Sequence, residues 1–329
     1  MNERAGGQRP PLNEKLRRAL SPTGNTGDAI FRAAMFAVAL LMVLIVVAMI
    51  LALASHSRLS IRQFGFGFLT NREWNPIKDQ FGALAFIYGT IVSSLIALVI
   101  SVPLSLGIAI FLVEQAPHYL SRPITFLVEL LAAIPSVVYG VWGIFVLAPF
   151  LRVHVDPQLA RWFGWLPLFQ GPITGIGLLT GGIILAIMVT PIISAVVRDV
   201  LSAVPNTQRE AALALGATKW ETTLVVLVNG APGIAGAVIL GLGRAIGETM
   251  AVTMVIGNRP EISLSLFQPS YTLASVIANE FTEATADIYL SSLIELGLIL
   301  FFVTFVVNAI ARLLVWRVTR KTAGVGMAA

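Results

Sequence analysis

Residues 241–252 read GLGRAIGETMAV, and Arg244 and Glu248 are the two charges in a run from Thr222 to Asn258 that is otherwise uncharged. Four positions along a helix turn the chain by about 400°, so the two side chains share nearly one face. A guanidinium offers a planar fork of donors that matches the oxygens of a phosphate group. A carboxylate beside it holds the fork in place and keeps it from retaining an anion too tightly. It also accepts a proton from a monobasic oxyanion, which a fully ionised one does not offer. Thr249 and Thr253 stand close enough in sequence to add hydroxyls. The chemistry this pattern points to is transient anion binding. The competing reading is a self-neutralising pair that fixes helix packing. Gly243 and Gly247, in G-x-x-x-G spacing and extended by Gly233, Gly236 and Gly241, would let a second helix approach closely. An ionised group at a bilayer centre costs about 2.5–3.5 kcal/mol, so the pair must face protein or water under either reading.

Little else in the chain has reactive spacing. Glu295 interrupts a late apolar run, and is read as pairing with a partner subunit or capping an interface. There is no cysteine, which removes disulfides, thiolate metal ligands and cysteine nucleophiles. His56, His118 and His154 are isolated in sequence, so no metal site is expected. None of the lysines follows a glycine, so there is no G-x-x-x-x-G-K-[ST] loop and ATP hydrolysis is expected on another chain. No nucleophile–base pairing stands out, and no catalytic residue or cofactor is assigned to this chain.

The elements that must position Arg244 and Glu248 are apolar helices. The 329 residues are 57% hydrophobic and 12% charged, with a mean hydropathy of +0.85. A soluble domain carries about 25% charged residues. The composition therefore predicts an all-α polytopic membrane protein. The net charge of +5 lies mostly in short basic segments beside apolar runs, which is explained by membrane orientation and not by nucleic acid. Residues 33–54 are 22 uncharged positions, too long for the h-region of a signal peptide and long enough to cross a membrane. Further runs cover Gln80–Val113, Leu130–Leu151, a span starting near Ile173, Thr222–Asn258 and Ile288–Ala311. Six spans place both termini on one side. With that side cytoplasmic, inside segments hold fourteen Lys and Arg against seven outside, which favours this orientation. The expected organisation is a cytoplasmic tail over 1–28, a first helix over 29–54, an external loop over 55–80, a core over 81–316 and a cytoplasmic tail over 317–329. Phe64, Phe66, Phe68 and Trp74 in the external loop read as an interfacial aromatic belt.

Residues 205–221, PNTQREAALALGATKWE, form the most structured polar stretch. Thr207 with Glu210, and Thr218 with Glu221, each have capping-box spacing. Gly216 lies between them, where a helix end favours positive φ. The pattern predicts a short helix, a glycine break and a second helix start. Ala211, Ala212 and Ala214 leave a shallow surface that a partner could approach. A plain connector with two caps is the alternative reading.

Glu210-Ala211-Ala212 followed by Gly216 resembles the EAA motif of permease subunits in binding-protein-dependent ABC importers. In that family this loop, here 199–229, forms coupling helices that dock into a groove on an ATPase. The segments FGALAFIYGTIVSSLIALVISVPL (81–104), ELLAAIPSVVYGVWGIFVLAP (129–149) and LGLGRAIGETMAVTMVIGN (240–258) narrow the resemblance to the phosphate-import permeases, over roughly residues 60–316. The resemblance implies six transmembrane helices in the type I importer permease fold. It also implies a passive phosphate path through Arg244, Glu248 and Thr249, with ATPase docking through Glu210, Ala211, Ala212 and Gly216. The implied partners are a second, related permease subunit, an ATPase dimer that binds ATP and magnesium, an external phosphate-binding protein, and the lipid around them. The chain departs from the family pattern at Val228-Asn229, where a Leu-Pro pair is usual, and at Thr223-Leu224-Val225, where a basic residue is usual. Pro232 is a candidate to take over the helix-breaking role. The alternatives are a sulfate or molybdate permease, which would not be expected to match around Arg244, and a self-sufficient secondary transporter, which would show inverted repeats with broken helices. A membrane-embedded enzyme would show clustered His, Asp or Ser.

Overall fold

A computed structural model describes residues 26–325, which are helical apart from loops and two isolated bridges. The described residues divide into two units between residues 52 and 53. The first contains most of α1 (Thr26–His56). Most of the expected tail over 1–28 lies outside the described residues. The second unit contains α2 (Arg58–Phe64), α3 (Gly67–Thr70), α4 (Leu84–Ile110), α5 (His118–Ala133), α6 (Ser136–Phe163), α7 (Leu178–Ala203), α8 (Asn206–Ala214), α9 (Lys219–Ile246), α10 (Met250–Val255), α11 (Leu273–Glu280) and α12 (Asp287–Val325). Among the described residues, six helices are long and apolar enough to cross a membrane: α1, α4 with its extension to Gln115, α6, α7, α9 and the Asp287–Val315 part of α12.

α7 is the centre of the second unit. It packs along α4 on one side and α9 on another, and is the most buried of the six spans. Leu185, Val189, Ile193 and Val197 of α7 meet Ala97 and Ala109 of α4 and Val226 and Ala237 of α9 in one continuous core. Small residues set how closely these helices approach. A Cβ at Gly182 would overlap Ile96 of α4. This is the close packing that small residues permit between membrane helices, where apolar transfer gives little driving force.

Two boundaries differ from the apolar pattern, the first of them at a proline. The expected third span, Leu130–Leu151, breaks at Ile134, which is extended (ψ 129°) before Pro135. The residue before a proline is pushed out of the helical region. The preceding residues form the separate amphipathic α5, and the span runs from Ser136 to Phe163 with π turns at Gly143–Leu147 and Leu151–Val155. The fourth span begins at Leu178, a few residues later than expected. Pro232, in contrast, sits inside α9 without ending it. Asn229, where the family proline is missing, donates from Nδ2 to the Val225 carbonyl (2.9 Å) and continues the same helix.

Of the aromatic residues before α4, Phe64, Phe68 and Trp74 pack into a core and do not form a belt, whereas Phe66 is 90% exposed. Trp74 packs edge-on against Phe81 and Phe86 with ring centroids 4.9 Å apart in both cases, and Phe81 stacks on Tyr289 at 5.5 Å. Glu280 closes this cluster by accepting from Trp74 Nε1 and from the Tyr289 hydroxyl, each at 2.7 Å. Nearby, Asn279 Nδ2 donates to the Tyr271 hydroxyl oxygen (3.0 Å), and burial pushes the Tyr271 phenol above its ordinary range. The loop before α4, helix α11 and the start of α12 therefore share one small aromatic core at the end of the bundle away from α8.

Candidate functional site

The segment around Arg244 is a broken helix. α9 ends at Ile246, Gly247 caps it at φ −88°, and a new helix, α10, starts at Met250. The uninterrupted span expected over Thr222–Asn258 is thus two helices joined at Gly247-Glu248-Thr249. Glu248 sits in that joint and is 3% exposed. Its Oε2 pairs with Arg244 Nη1 at 2.9 Å. Its Oε1 accepts from the Ala251 backbone N–H at 3.3 Å, in the first turn of α10. Both carboxylate oxygens are therefore engaged, one by the end of α9 and one by the start of α10.

Arg244 is held differently. Its side chain is 45% exposed, and among the described residues Glu248 is its only hydrogen-bonding or ionic partner. Nε and Nη2 have no partner among the described residues. A buried carboxylate thus fixes one nitrogen of the fork and leaves the remaining donors facing open space. Thr249, expected beside the pair, donates only weakly to the Gly247 carbonyl (3.4 Å) and is partly exposed. Thr253 is occupied, donating to the Thr249 carbonyl at 2.7 Å.

The glycines divide into two faces, and the G-x-x-x-G pair is not the one that packs. A Cβ at Gly241 would overlap Ile193 and Val189 of α7, and one at Gly233 would overlap Val200. Gly236 and Gly243 meet nothing within 4 Å. The open face is the one that carries Arg244. Glu295, expected to pair with a partner or cap an interface, is instead buried in its own chain (7% exposed), within reach of Ser60. Its Oε2 has no hydrogen-bond partner among the described residues.

At the opposite end of the bundle, α8 presents the EAA residues. Glu210, Ala211 and Gly216 are exposed, whereas Ala212 is 9% exposed and turned into its own chain. Gly216 has φ +85°, the Gly216 N–H donates to Leu213 O (3.0 Å), and the Ala217 N–H donates to Ala212 O (3.1 Å). This is the Schellman arrangement that a glycine at C′ permits. The second capping box forms in full: Thr218 accepts from the Glu221 N–H (3.3 Å), and Glu221 accepts from the Thr218 N–H (2.7 Å). The first does not. α8 starts directly after Pro205 with no side-chain cap, so Thr207 and Glu210 lie within its first turns and do not flank them.

Sequence reasoning missed two features here. Leu213 and Leu215 are exposed (52% and 90%) beside the EAA residues, and their signal was apolar side chains in an otherwise polar loop. Arg209 reaches Glu114 across 95 positions of sequence, and no local pattern announces that pairing.

The family described as binding-protein-dependent transport system inner membrane component matches residues 101–320. The phosphate transport system permease protein PstC of Mesorhizobium japonicum is 51% identical over 300 residues, covering 90% of this chain and 92% of that protein. PstC of Pasteurella multocida is 48% identical over 299 residues, covering 89% and 93%. PstC 2 of Mycobacterium tuberculosis is 41% identical over 296 residues, covering 87% and 91%. An all-helical, multi-pass chain with these matches belongs to the binding-protein-dependent transport permeases and, among them, to the PstC family.

Proposed function

We propose that this chain is the permease subunit of an ATP-driven importer of inorganic phosphate, and that Arg244, steadied by Glu248, lines the path the anion takes. The observation that carries this reading is the asymmetry of the pair. Glu248 is buried and bound at both oxygens, while the Arg244 fork keeps unpartnered donors on an open face. A pair that served packing alone would bury both partners, since a half-exposed guanidinium contributes little to stability. Held donors leave phosphate less reorganisation to drive on arrival, and the carboxylate weakens the hold enough for release. Thr249, a partly exposed hydroxyl in the same joint, completes the anion's surroundings.

The related phosphate transport permeases support phosphate as the substrate. The partners follow from the family: a second permease subunit across the open Gly236–Gly243 face, an ATPase dimer with its ATP and magnesium against Glu210, Ala211 and Gly216, and a binding protein on the far side. Ala212 supports that docking surface from beneath. In this reading α8 and both termini are cytoplasmic, consistent with the bias of Lys and Arg.

The test is uptake of labelled phosphate in cells carrying the whole transporter, with sulfate or arsenate in excess. Uptake should need this chain, ignore sulfate and yield to arsenate. Arg244→Gln should insert normally and lose most uptake. Normal uptake by Arg244→Gln would make the pair a packing device, and competition by sulfate would overturn the substrate.

A further inference from the structure

Outside the proposed path, the least exposed ion pair among the described residues lies between α8 and the inner end of α4. Arg209 of α8 donates from Nη2 to Glu114 Oε1 at 2.8 Å and from Nε to the same oxygen at 3.1 Å. The two side chains are 17% and 11% exposed. The same guanidinium also donates to the carbonyls of Val204 (Nη1, 2.7 Å) and Leu201 (Nη2, 2.9 Å), at the end of α7. A helix leaves its last carbonyls without intrahelical donors, and its C-terminal end attracts positive charge. Arg209 therefore completes the end of α7 and grips α4 with one planar group. Lysine, a single point of charge, has no fork with which to span those acceptors.

Glu114 is placed for this by a local irregularity. Residues Phe111–Gln115 continue α4 as a π turn, in which the Ala116 N–H donates to the Phe111 carbonyl at 2.7 Å. The same turn is tied to α5 by Ser121, whose hydroxyl donates to the Leu112 carbonyl at 3.1 Å. α7 and α8 are already joined by the short link through Val204 and Pro205. Nothing covalent joins α8 to α4 without passing along α5, α6 and the whole of α7. The ion pair adds a direct polar link from α8 to α4 beside the packing that α4 and α7 already share.

We propose that Arg209 and Glu114 are positioning residues through which movement of α8 reaches α4, so that the inner ends of α4 and α7 follow the docked ATPase as one body. This rests on the reading of α8 as the coupling helix. Without the pair, α8 would pull α7 alone, and α4 would follow only through side-chain packing. Loss of the pair should therefore uncouple ATP hydrolysis from transport, and leave docking intact.

The test uses the complete transporter reconstituted in vesicles, as wild type, Arg209→Gln, Arg209→Lys and the milder Glu114→Gln. All should still co-purify with the ATPase and hydrolyse ATP at the basal rate. Stimulation of hydrolysis by the loaded binding protein, and phosphate uptake, should fall together by roughly two- to thirtyfold in the glutamine variants, the span expected for residues that carry coupling. Arg209→Lys should lie between them and the wild type. Uptake equal to wild type, or loss of the ATPase on purification, would overturn the proposal; the second result would make the pair a support for docking. A measurement independent of the substrate keeps the two readings apart. The chain has no cysteine of its own, so Thr207→Cys with Gln115→Cys introduces a unique pair in it and leaves Arg209 and Glu114 in place. Its rate of bridging by a bis-thiol reagent should be the same in nucleotide-free and vanadate-trapped complexes, and should differ between those states once Arg209→Gln is added. A rate that changes between the states with Arg209 in place overturns the clamp even where phosphate uptake is intact, and absence of phosphate uptake by the wild type overturns only the substrate.

Discussion

Arg244 and Glu248 carry opposite risks when altered, because one is half exposed and the other is buried. Glu248→Gln keeps an acceptor for the Ala251 N–H and removes the charge that steadies Arg244. It should lower uptake while leaving the protein folded. Glu248→Ala removes both contacts and should also lower the thermal midpoint of the purified complex, since it opens the joint between α9 and α10. If thermal shift and uptake fell equally in both variants, the charge would have no separate role. Glu295 predicts the reverse. It is buried, no cation pairs with it among the described residues, and its Oε2 lacks a partner. A buried polar group without a partner costs free energy. Glu295→Met should leave uptake unchanged and raise the thermal midpoint; loss of transport would assign Glu295 a role in the path. The pairing of Arg244 with Glu248 was legible in the sequence, since four residues on a helix bring side chains together. That Glu295 turns inward was not, because its environment is made by residues more than two hundred positions away.

At the scale of elements, the two capping boxes separate what spacing promises from what a helix uses. Thr218 and Glu221 make their reciprocal bonds, and Thr218→Ala should cost about 1 kcal/mol. Thr207 has the same spacing to Glu210 but makes no cap, so Thr207→Ala should be close to neutral. Hydrogen exchange in the first turns of α9 and α8 would register the difference, and equal effects would refute it. Gly216, at φ +85°, should tolerate no β-branched residue; Gly216→Val should loosen the turn between α8 and α9 and weaken co-purification of the ATPase. The sequence could not choose between the boxes because Pro205 starts α8 early, which places Thr207 inside the helix. It also could not show that Gly247 ends α9. A glycine within an apolar run is compatible with a continuous membrane helix, and the break is fixed by Glu248 capping α10.

The second unit is arranged around α7, with the proposed anion-binding fork on α9 and the proposed docking element on α8 at the end away from Trp74. Helices α4, α7 and α9 share one core, so movement introduced at α8 has a packed route along them. Trp74 and Glu280 tie the far end in the same way, and Trp74→Phe should leave the aromatic packing while removing the bond to Glu280. Its expected signature is faster proteolysis of the loop before α4 with normal insertion; an unchanged cleavage pattern would show that the packing alone holds the loop.

The sequence by itself determined the membrane class, the apolar spans, the Arg244–Glu248 pair and the element over 205–221. Each of these depends on composition or on spacing within a few turns of one helix. Only the tertiary structure decided which face of α9 packs, since Gly241 and Gly243 are equally small and only the position of α7 distinguishes them. It also decided that Glu248 is buried while Arg244 stays open, and that Arg209 meets Glu114. Those outcomes depend on which distant helix lies alongside, and periodicity along one chain carries no record of its neighbour.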